Sequence, residues 1–466
     1  MLDGSASSVM ESASSGYATP FAIALNASTS QIGFLAGISV LLGSLAQPIG
    51  ATLAERVDRK KVIVSTVMLQ ALVWLPIAAI PFFIAPGNDA TTAFIALFAL
   101  MVVFGSISAP VWNSAMADII PLKERGAFFG RRKELLQAVT LATLFAFGLF
   151  LGVVPKDMVF WGFAAIFAIA FAARMISAHY LNITYYPPYH HRKGSGSINA
   201  FVSGLLTTDF GKLALFLAAI VFATNIAAPF FQVYLLRSLG YTYQLYAVMI
   251  AINAIAAILT FSYWGRLSDA FGNKKILFAT GLLVPLVPLA YLLASSPLHI
   301  AIAEAVSGIA WAGFNLATFN YVLEFSPSYN RARYIAYYNV LIGLATFGGA
   351  LLGSFLIESN FILAGLAGIP LLFALSTAAR FLCIIAILPA VADSKPLPGL
   401  DNRRFFVNAV INYPMNEVHS SVVSGWSSMV AVEKKAVEKT KRFFGEFGKH
   451  AHHGGKAFKR RFYLEE

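Results

Sequence analysis

The amino-acid sequence predicts an all-α membrane protein with twelve transmembrane helices in two pseudo-symmetric bundles of six. Three observations predict this fold class: a shortage of charged residues, twelve apolar segments long enough to cross a bilayer, and features of the first half that recur in the second. Charged residues make up 12% of the 466 residues and hydrophobic residues 58%, whereas soluble proteins carry about 25% charged residues. Lipid must therefore cover most of the protein surface.

The twelve segments qualify by length, because a helix needs about 20 mostly apolar residues to cross roughly 30 Å of hydrocarbon. The first is the weakest, since it is rich in serine and contains Glu11, but its length fits and turn-like residues 26–30 follow it. An even number of spans also places both termini on one side of the membrane. The predicted spans are 3–25, 31–54, 62–85, 91–117, 134–154, 158–180, 211–236, 243–264, 276–295, 299–325, 334–357 and 364–388.

The distribution of lysine and arginine predicts the orientation of these spans. Of the 21 such residues that precede residue 391, 17 lie in alternate loops on one side, two lie in loops on the other side, and two lie within spans. Because positive loops stay in the cytoplasm, we expect a multi-pass protein of the cell membrane with both termini cytoplasmic. The net charge of +12 therefore reflects membrane topology rather than nucleic-acid binding.

The second half of the chain repeats features of the first. Charged residues coincide when the first half is shifted by 206 residues: Asp118 with Glu324, Arg125 with Arg331, and Arg174 with Arg380. Two like-oriented sets of six spans form parallel repeats about an axis along the membrane normal. The predicted domains are an N-terminal six-helix bundle (1–185), a cytoplasmic linker (186–210), a C-terminal six-helix bundle (211–390) and a basic cytoplasmic tail (391–466).

A short charged turn follows the second span and another follows the eighth. The first contains Leu53, Ala54, Glu55, Arg56, Arg59 and Lys60, and the second contains Gly265, Leu267, Asp269, Ala270, Gly272 and Lys274. Both turns resemble the signature of the major facilitator superfamily, Gly-x-Leu-Ala-Asp-Arg-x-Gly-Arg-Arg, with a glutamate for the aspartate in the first and an alanine for an arginine in the second. The resemblance covers residues 1 to about 390 and implies the fold of that superfamily, with secondary transport by alternating access.

The resemblance further implies that the charged turns form a cytoplasmic gate. Ion pairs and helix-dipole contacts would hold the halves together in one state and break in the other. Charged residues at matched cytoplasmic ends of spans 4 and 10 join this network in our hypothesis. The alternative is that these charges only anchor the topology, cap helices or remain solvated. The predicted gate residues are Glu55, Arg56, Asp118, Arg125, Arg266, Asp269, Glu324 and Arg331.

Glu11 lies about nine residues into the first span, a depth of roughly 13 Å at 1.5 Å per residue. A carboxylate at such a depth costs about 2.5–3.5 kcal/mol on insertion scales, which makes it a functional candidate. In the superfamily, spans 1, 4, 7 and 10 line a central cavity, so we expect Glu11 to bind a proton or a cationic group. In the alternative interpretation span 1 is hydrated, and Glu11 pairs with a hydroxyl group or lies nearer the surface.

Three further charged residues lie within spans. Glu304 is about five residues from the outer end of span 10, and we expect its side chain to reach the outer face, with a role in proton coupling as the alternative. We expect Arg174 and Arg380 to reach the cytoplasmic face in the same way, as structural residues at matched positions.

Polar and aromatic residues on spans 4, 7 and 10 are predicted to line the central cavity. Binding sites of this kind combine apolar walls with a few polar groups. The alternative is that these side chains join helices by hydrogen bonds. The predicted cavity residues are Trp112, Asn113, Asn225, Gln232, Tyr234, Trp311, Asn315 and Asn320.

The tail carries apolar residues at three- and four-residue spacing between Met429 and Phe447, with most of its basic residues elsewhere on the helical wheel. This pattern predicts an amphipathic helix on the anionic lipids of the inner leaflet. A disordered tail is the alternative.

The sequence excludes several other classes of function. Cys383 is the single cysteine, so no disulfide framework or thiolate metal site can form. The sequence has no nucleotide-binding loop, zinc-protease pair or nucleophile elbow, so we expect neither an enzyme nor an ATP-driven pump, and no cofactor or metal. We predict a monomeric secondary transporter of a small solute, driven by protons. The alternatives are an uncoupled facilitator and a non-transporting membrane scaffold or sensor.

Overall fold

The computed structural model describes residues 1–120, 125–186, 198–326, 331–359, 361–393 and 406. At some helical positions inside these ranges only the backbone is described. The chain divides into a large unit, Met1–Pro398, and a C-terminal unit, Gly399–Glu466. Phe406 is the single described residue of the C-terminal unit, so the predicted amphipathic tail helix lies outside the described residues.

The described part of the large unit consists of helices joined by short connections. The first half contains α1 (Leu2–Ala24), α2 (Thr29–Arg56), α3 (Arg59–Phe83), α4 (Asn88–Ile119), α5 (Arg125–Val153) and α6 (Val159–Ile183). A short helix, α7 (Ile198–Gly204), lies in the region predicted as a linker. The second half contains α8 (Asp209–Asn225), α9 (Phe230–Val233), α10 (Tyr243–Phe271), α11 (Asn273–Leu283), α12 (Leu286–Leu293), α13 (Pro297–Phe325), α14 (Arg331–Glu358) and α15 (Gly368–Leu382).

These helices occupy all twelve predicted spans. Spans 1 to 6 are α1 to α6, span 8 is α10, and spans 10 and 11 are α13 and α14. Span 7 consists of α8, α9 and a π-helical turn, span 9 of α11 and α12, and span 12 of α15 with a π-helical and a 3₁₀ turn. In the described residues, eleven helical stretches are long and apolar enough to cross a membrane, and α1 has the length but is too rich in serine to be counted with them. The predicted fold class is confirmed.

Prolines explain why spans 7 and 9 are each divided into two helices. Pro229 precedes α9 and Pro285 precedes α12. Proline has no backbone N–H, so it cannot continue the hydrogen-bond pattern of a preceding helix. The interruptions leave irregular backbone within the second half, and this backbone supplies carbonyl groups to a buried side chain described below.

Helix contacts repeat between the two halves. In the first half α1 packs against α5 and α6, and α4 packs against α2 and α3. In the second half the equivalent helices do the same: α8 packs against α14 and α15, and α13 packs against α10 and α11. Between the halves α2 packs against α14 and α5 packs against α10, and a twofold axis would exchange these two contacts. The two bundles are therefore pseudo-symmetric, as predicted.

The arginines expected to reach the cytoplasmic face are instead buried inside the bundles. Arg174 is 8% exposed and Arg380 is 1% exposed. From α6, Arg174 donates from Nε to Gln70 Oε1 on α3 (2.8 Å) and from Nη1 to Ser7 Oγ on α1 (2.7 Å). The expectation was wrong because acceptors inside the bundle satisfy the guanidinium group where it lies, so it does not have to reach water.

Arg380 makes the equivalent connections in the second half. From α15 it donates from Nη1 to the Val284 carbonyl (3.0 Å), from Nη2 to the Thr224 carbonyl (3.3 Å) and from Nε to Ser376 Oγ (3.0 Å). The Val284 carbonyl lacks the usual helical donor because Pro288, four residues later, has no N–H. Each buried arginine thus joins the first, third and sixth spans of its own half.

Substitution of Gly349 tests how closely α14 approaches α8 in the second half. A Cβ atom at this position on α14 would overlap the Phe222 carbonyl oxygen on α8, and backbone cannot move aside as a side chain can. Gly349→Ala should therefore destabilise the protein by about 1–3 kcal/mol, measured as a lower melting temperature in detergent. The matched control is Gly265→Ala, whose Cβ would meet only Leu316 Cδ2 at 3.7 Å. An unchanged melting temperature for Gly349→Ala would contradict the close approach.

Candidate functional site

A cavity of about 310 Å³ lies inside the second bundle. Its walls come from spans 7, 8, 9, 10 and 12, which surround it within the second half. The volume is near the lower limit for sites that bind small molecules, about 300–1,000 Å³. The lining residues are Thr224, Ala228, Phe231, Gln232, Leu235, Tyr246, Met249, Ile250, Asn253, Val287, Tyr291, Glu304, Ser307, Trp311 and Arg380.

Glu304 is the acid of this cavity. Its Oε1 accepts a hydrogen bond from the Tyr291 hydroxyl on α12, and its Oε2 accepts one from Asn253 Nδ2 on α10 at 2.8 Å. The expectation that Glu304 reaches the outer face was wrong, because two neutral donors inside the bundle satisfy the carboxyl group. The acid is thereby held in the cavity wall by three different spans.

Arg380 is the base of the same cavity. Its three hydrogen bonds leave two of the five N–H groups of a guanidinium without an acceptor among the described residues. Within the described part of the chain, Glu304 forms no ion pair with a base, and Arg380 forms none with an acid. One cavity therefore contains an acid and a base that bind neutral partners and do not pair with each other.

Two further polar atoms of the cavity residues are buried without a hydrogen-bond partner: Gln232 Oε1 and Thr224 Oγ1. Buried polar atoms of folded proteins are nearly always hydrogen-bonded, so an exception needs an explanation. A bound solute or water would supply the missing partner. Thr224 also provides the carbonyl that binds Arg380, so its hydroxyl belongs to the arginine end of the cavity.

Aromatic rings form much of the remaining wall. The Phe231 ring stacks on Phe373, with centroids 4.7 Å apart, and meets Tyr291 edge to face at 4.6 Å. Tyr246 lines the cavity and donates its hydroxyl to the Gly16 carbonyl on α1, at 3.0 Å. The rings make the cavity apolar between its charged groups, and Tyr246 connects its wall to the first half.

The predicted cavity residues divide into two groups. Gln232 and Trp311 line the cavity of the second bundle. The other six do not line it. Tyr234 packs on Tyr291 and Phe373, and Asn225 donates to the Val221 carbonyl of its own helix. Trp112 lies under the Arg132 guanidinium, Asn113 and Asn315 are exposed, and Asn320 is half-buried. The bond of Asn225 lies within its own helix, so it corresponds neither to the predicted cavity role nor to the alternative of a bond between helices.

Glu11, the predicted proton-binding acid, lies on α1 outside this cavity. Its side chain is exposed. The Arg174 guanidinium is close enough to act electrostatically on it, although the two form no ion pair. Glu11 is therefore an exposed acid on span 1, within the electrostatic range of the buried arginine of the first half.

The second charged turn is built around a single glycine. Gly272, with φ of +84°, separates α10 from α11, a backbone conformation that favours glycine. Asn273 accepts from Ser268 Oγ through its Oδ1 (2.6 Å) and donates from Nδ2 to Glu324 Oε2 at the end of α13 (3.1 Å). Lys274 donates to the Val391 carbonyl (2.6 Å), beyond the last span. The turn therefore connects spans 8, 9, 10 and 12 at one end of the bundle.

The remaining predicted gate residues are only partly visible. Arg266 and Asp269 are both exposed on the last turns of α10. The side chains of five others lie outside the described residues: Glu55, Arg56, Asp118, Arg125 and Arg331.

Sequence reasoning missed most of the second-bundle cavity, because its residues come from five spans whose mutual rotation no sequence pattern reveals. One signal was present in the chain. Glu304, Ser307 and Trp311 follow one another at spacings of three and four residues, which places them on one face of a helix. An acid within an apolar span, on the same helix face as a serine and a tryptophan, indicates a polar site rather than a side chain that extends to the surface.

Comparison with known proteins shows which family model and which solved structures this chain resembles. Residues 11–363 match the model of the MFS_1 like family, whereas a search of curated proteins gives no match. Among solved structures, the inward-open xylose transporter XylE from E. coli superposes with a TM-score of 0.65 at 13% identity, over 87% of this chain and 98% of that chain. A bacterial homologue of the iron transporter ferroportin, in an inward-facing state, gives 0.64 at 14% identity, over 84% and 97%. The nucleoside transporter NupG gives 0.58 at 15% identity, over 84% and 97%.

At such identities the structural likeness shows the fold alone, but the family model covers about three quarters of the chain. The match extends over ten of the twelve spans and most of an eleventh. The chain therefore belongs to the MFS_1 like family of the major facilitator superfamily, and is a multi-pass membrane transporter rather than an enzyme.

Proposed function

We propose that this transporter moves a small solute by alternating access and draws energy from a proton gradient through Glu11. The observation that carries the transport proposal is the cavity among membrane-crossing helices, with an acid and a base in its walls. A carboxyl and a guanidinium group inside a membrane protein are costly and typically mark a solute or ion path.

Contacts between the halves support a rocking motion. The extensive ones run along α2–α14 and α5–α10. Near the ends remote from the charged turns, Ser354 Oγ donates to the Ser30 carbonyl at 3.1 Å, and Arg237 reaches the Ile23 carbonyl at 3.5 Å. A few single hydrogen bonds can be exchanged at modest cost, since each contributes about 0.5–1.5 kcal/mol. Two rigid bundles joined in this way can open at one end and close at the other.

The gate remains part of the proposal. Glu55, Arg56, Asp118, Arg125, Arg266, Asp269, Glu324 and Arg331 would close the cytoplasmic side in one state and separate in the other. The bond from Asn273 to Glu324 supports a connection between the second charged turn and the end of α13. The basic loops and both termini would face the cytoplasm, the tail would contact anionic inner-leaflet lipids, and the protein would act as a monomer.

The two acids within spans suit different roles. Glu304 is enclosed, and both its oxygens accept hydrogen bonds from neutral donors, which suits a binding site. Glu11 is exposed on α1 and lies within the electrostatic field of Arg174, which suits a carboxyl group that gains and loses a proton. Protonation of Glu11 would remove its attraction to that arginine and alter how α1 sits beside α6. Such a change in a central span is what coupling requires.

Replacement of Glu11 by glutamine tests the coupling. The solute is first selected by a thermal-shift screen of compound classes across pH, and its uptake is then measured in proteoliposomes with an imposed pH difference. Wild-type protein should accumulate it, and Glu11→Gln should lose accumulation while still exchanging solute at equal pH, because glutamine cannot release a proton. Asp89→Asn, at an exposed acid near the start of α4, is the control and should behave as wild type.

Full rate and full pH dependence in Glu11→Gln would remove Glu11 from the mechanism. Equal accumulation by the wild-type protein with and without an uncoupler would indicate a facilitator without proton coupling.

Deletion of the tail separates a transporter from a scaffold. Removal of residues 395–466 leaves the bonds that hold the end of span 12, namely Lys274 to the Pro389 and Val391 carbonyls and the Tyr321 hydroxyl to the Ala392 carbonyl. We therefore expect the shortened protein to fold and to retain flux within about twofold, measured by uptake per reconstituted molecule. Loss of flux from a folded, truncated protein would favour a function that resides in the tail.

A further inference from the structure

We propose that the second-bundle cavity binds a small zwitterion, with its ammonium group toward Glu304, its carboxylate group toward Arg380, and an apolar spacer between them. The inference rests on the proposed transport function, for which it names the class of solute. It starts from one observation: an acid and a base line the same cavity and bind only neutral partners among the described residues.

The cation end is defined by oxygen atoms. Glu304 is held by donors from Tyr291 and Asn253, which orient the carboxyl group without neutralising it. Gln232 Oε1, buried and without a partner, adds a second acceptor to the cavity wall. An ammonium group carries three N–H donors and no acceptor, so it can satisfy both oxygens.

The anion end is defined by N–H and O–H donors. Two N–H groups of Arg380 have no acceptor among the described residues, and a guanidinium group matches a carboxylate with two parallel hydrogen bonds. The Thr224 hydroxyl, also buried without a partner, stands on the residue whose carbonyl binds Arg380. Its hydrogen can turn toward a carboxylate oxygen.

The two ends lie at different positions along span 9. Along span 9, Arg380 binds the carbonyl of Val284, whereas Glu304 binds the hydroxyl of Tyr291, seven residues later. Seven helical residues correspond to about 10 Å, which the long side chains shorten. The wall between is apolar and aromatic, with Phe231, Leu235, Val287 and Trp311. A solute with its charges on one carbon atom would leave one end unpaired, whereas a spacer of several methylene groups would reach both.

The buried arginine of the first half provides an internal comparison. Arg174 occupies the equivalent position, but it donates to the side chains of Gln70 and Ser7 and does not line the second-bundle cavity. A purely structural role for Arg380 predicts that the two arginines respond alike to substitution. A binding role predicts that only Arg380 discriminates between solutes with and without a carboxylate.

The test is a binding measurement on the full-length protein in detergent, with four probes used one at a time: 6-aminohexanoate, hexylamine, hexanoate and norleucine. Wild-type protein should bind 6-aminohexanoate about 10- to 100-fold more tightly than hexylamine or hexanoate, because each lacks one charge-assisted contact. It should also prefer 6-aminohexanoate to norleucine, an isomer with both charges at one end. Equal affinity for all four probes, or tighter binding of norleucine, would overturn the inference.

Variants assign each charge to its end. Glu304→Gln should weaken the binding of 6-aminohexanoate and hexylamine about tenfold or more and leave the binding of hexanoate unchanged. Arg380→Gln should weaken the binding of 6-aminohexanoate and hexanoate and leave the binding of hexylamine unchanged. Thr224→Val should have the same effect to a smaller extent, and it replaces Arg380→Gln in the test if that variant does not fold. Glu358→Gln, at an exposed acid, and Arg174→Gln are the matched controls and should keep the wild-type order of probes. A uniform loss for all probes in the cavity variants would indicate a structural role and overturn the assignment.

Binding and transport are scored separately. Tight binding of 6-aminohexanoate without uptake would leave the site intact and count against the proposed transport. Uptake of a neutral solute by protein that binds none of the four probes would leave transport intact and overturn the zwitterion site.

Discussion

A guanidinium group buried among membrane-crossing helices must find its acceptors inside the protein, and this constraint shapes both halves of the transporter. Arg174 and Arg380 stand at equivalent positions on the sixth span of each half, and each joins that span to the first and third. Loss of these acceptors would leave a charge uncompensated in a low-dielectric interior, which typically costs several kcal/mol. The repeat therefore preserves an interaction as well as a fold, and the interaction holds each bundle together as one body, as the proposed rocking motion requires.

The two halves meet this constraint differently, and the difference creates the site. In the first half, side chains satisfy Arg174, and an aromatic cluster fills the interior, with Phe21 centroids 5.0 Å from Phe94 and 4.9 Å from Phe167. In the second half, proline-interrupted spans supply backbone carbonyls to Arg380, and a cavity remains beside it. Irregular backbone at membrane depth is tolerated where it is buried or lines a cavity. The second bundle thus has a cavity beside its buried arginine, whereas side chains of the first bundle satisfy the arginine directly.

Composition, apolar length and charge asymmetry were sufficient to predict the fold class and the approximate positions of all twelve spans, because the bilayer imposes a length that can be read along the chain. The side chains of Glu304, Arg174 and Arg380 were predicted incorrectly for one reason: depth along a span was considered without the partners on neighbouring spans. Tyr291, Asn253 and Gln70 become partners only through helix rotation and packing, which hydropathy does not encode. Gln232 and Trp311 were predicted as cavity residues because they are polar or aromatic on spans 7 and 10, but nothing in the sequence separated them from Asn225, which bonds within its own helix.

The connection between binding and motion follows from Tyr246. This residue lines the second-bundle cavity and, at 1% exposure, donates its hydroxyl to the Gly16 carbonyl of α1 in the first half. A solute changes a conformational equilibrium only to the extent that it binds one state better than the other. Because one wall residue of the cavity also holds the two halves together, a solute that packs against Tyr246 interacts differently with the states in which this bond is made and broken. Glu11 lies on the same helix as Gly16, five residues away and more than one turn along α1, so a proton at Glu11 and a solute beside Tyr246 act on one helix. In the proposed mechanism, that shared helix is the physical route by which proton binding and solute binding influence each other.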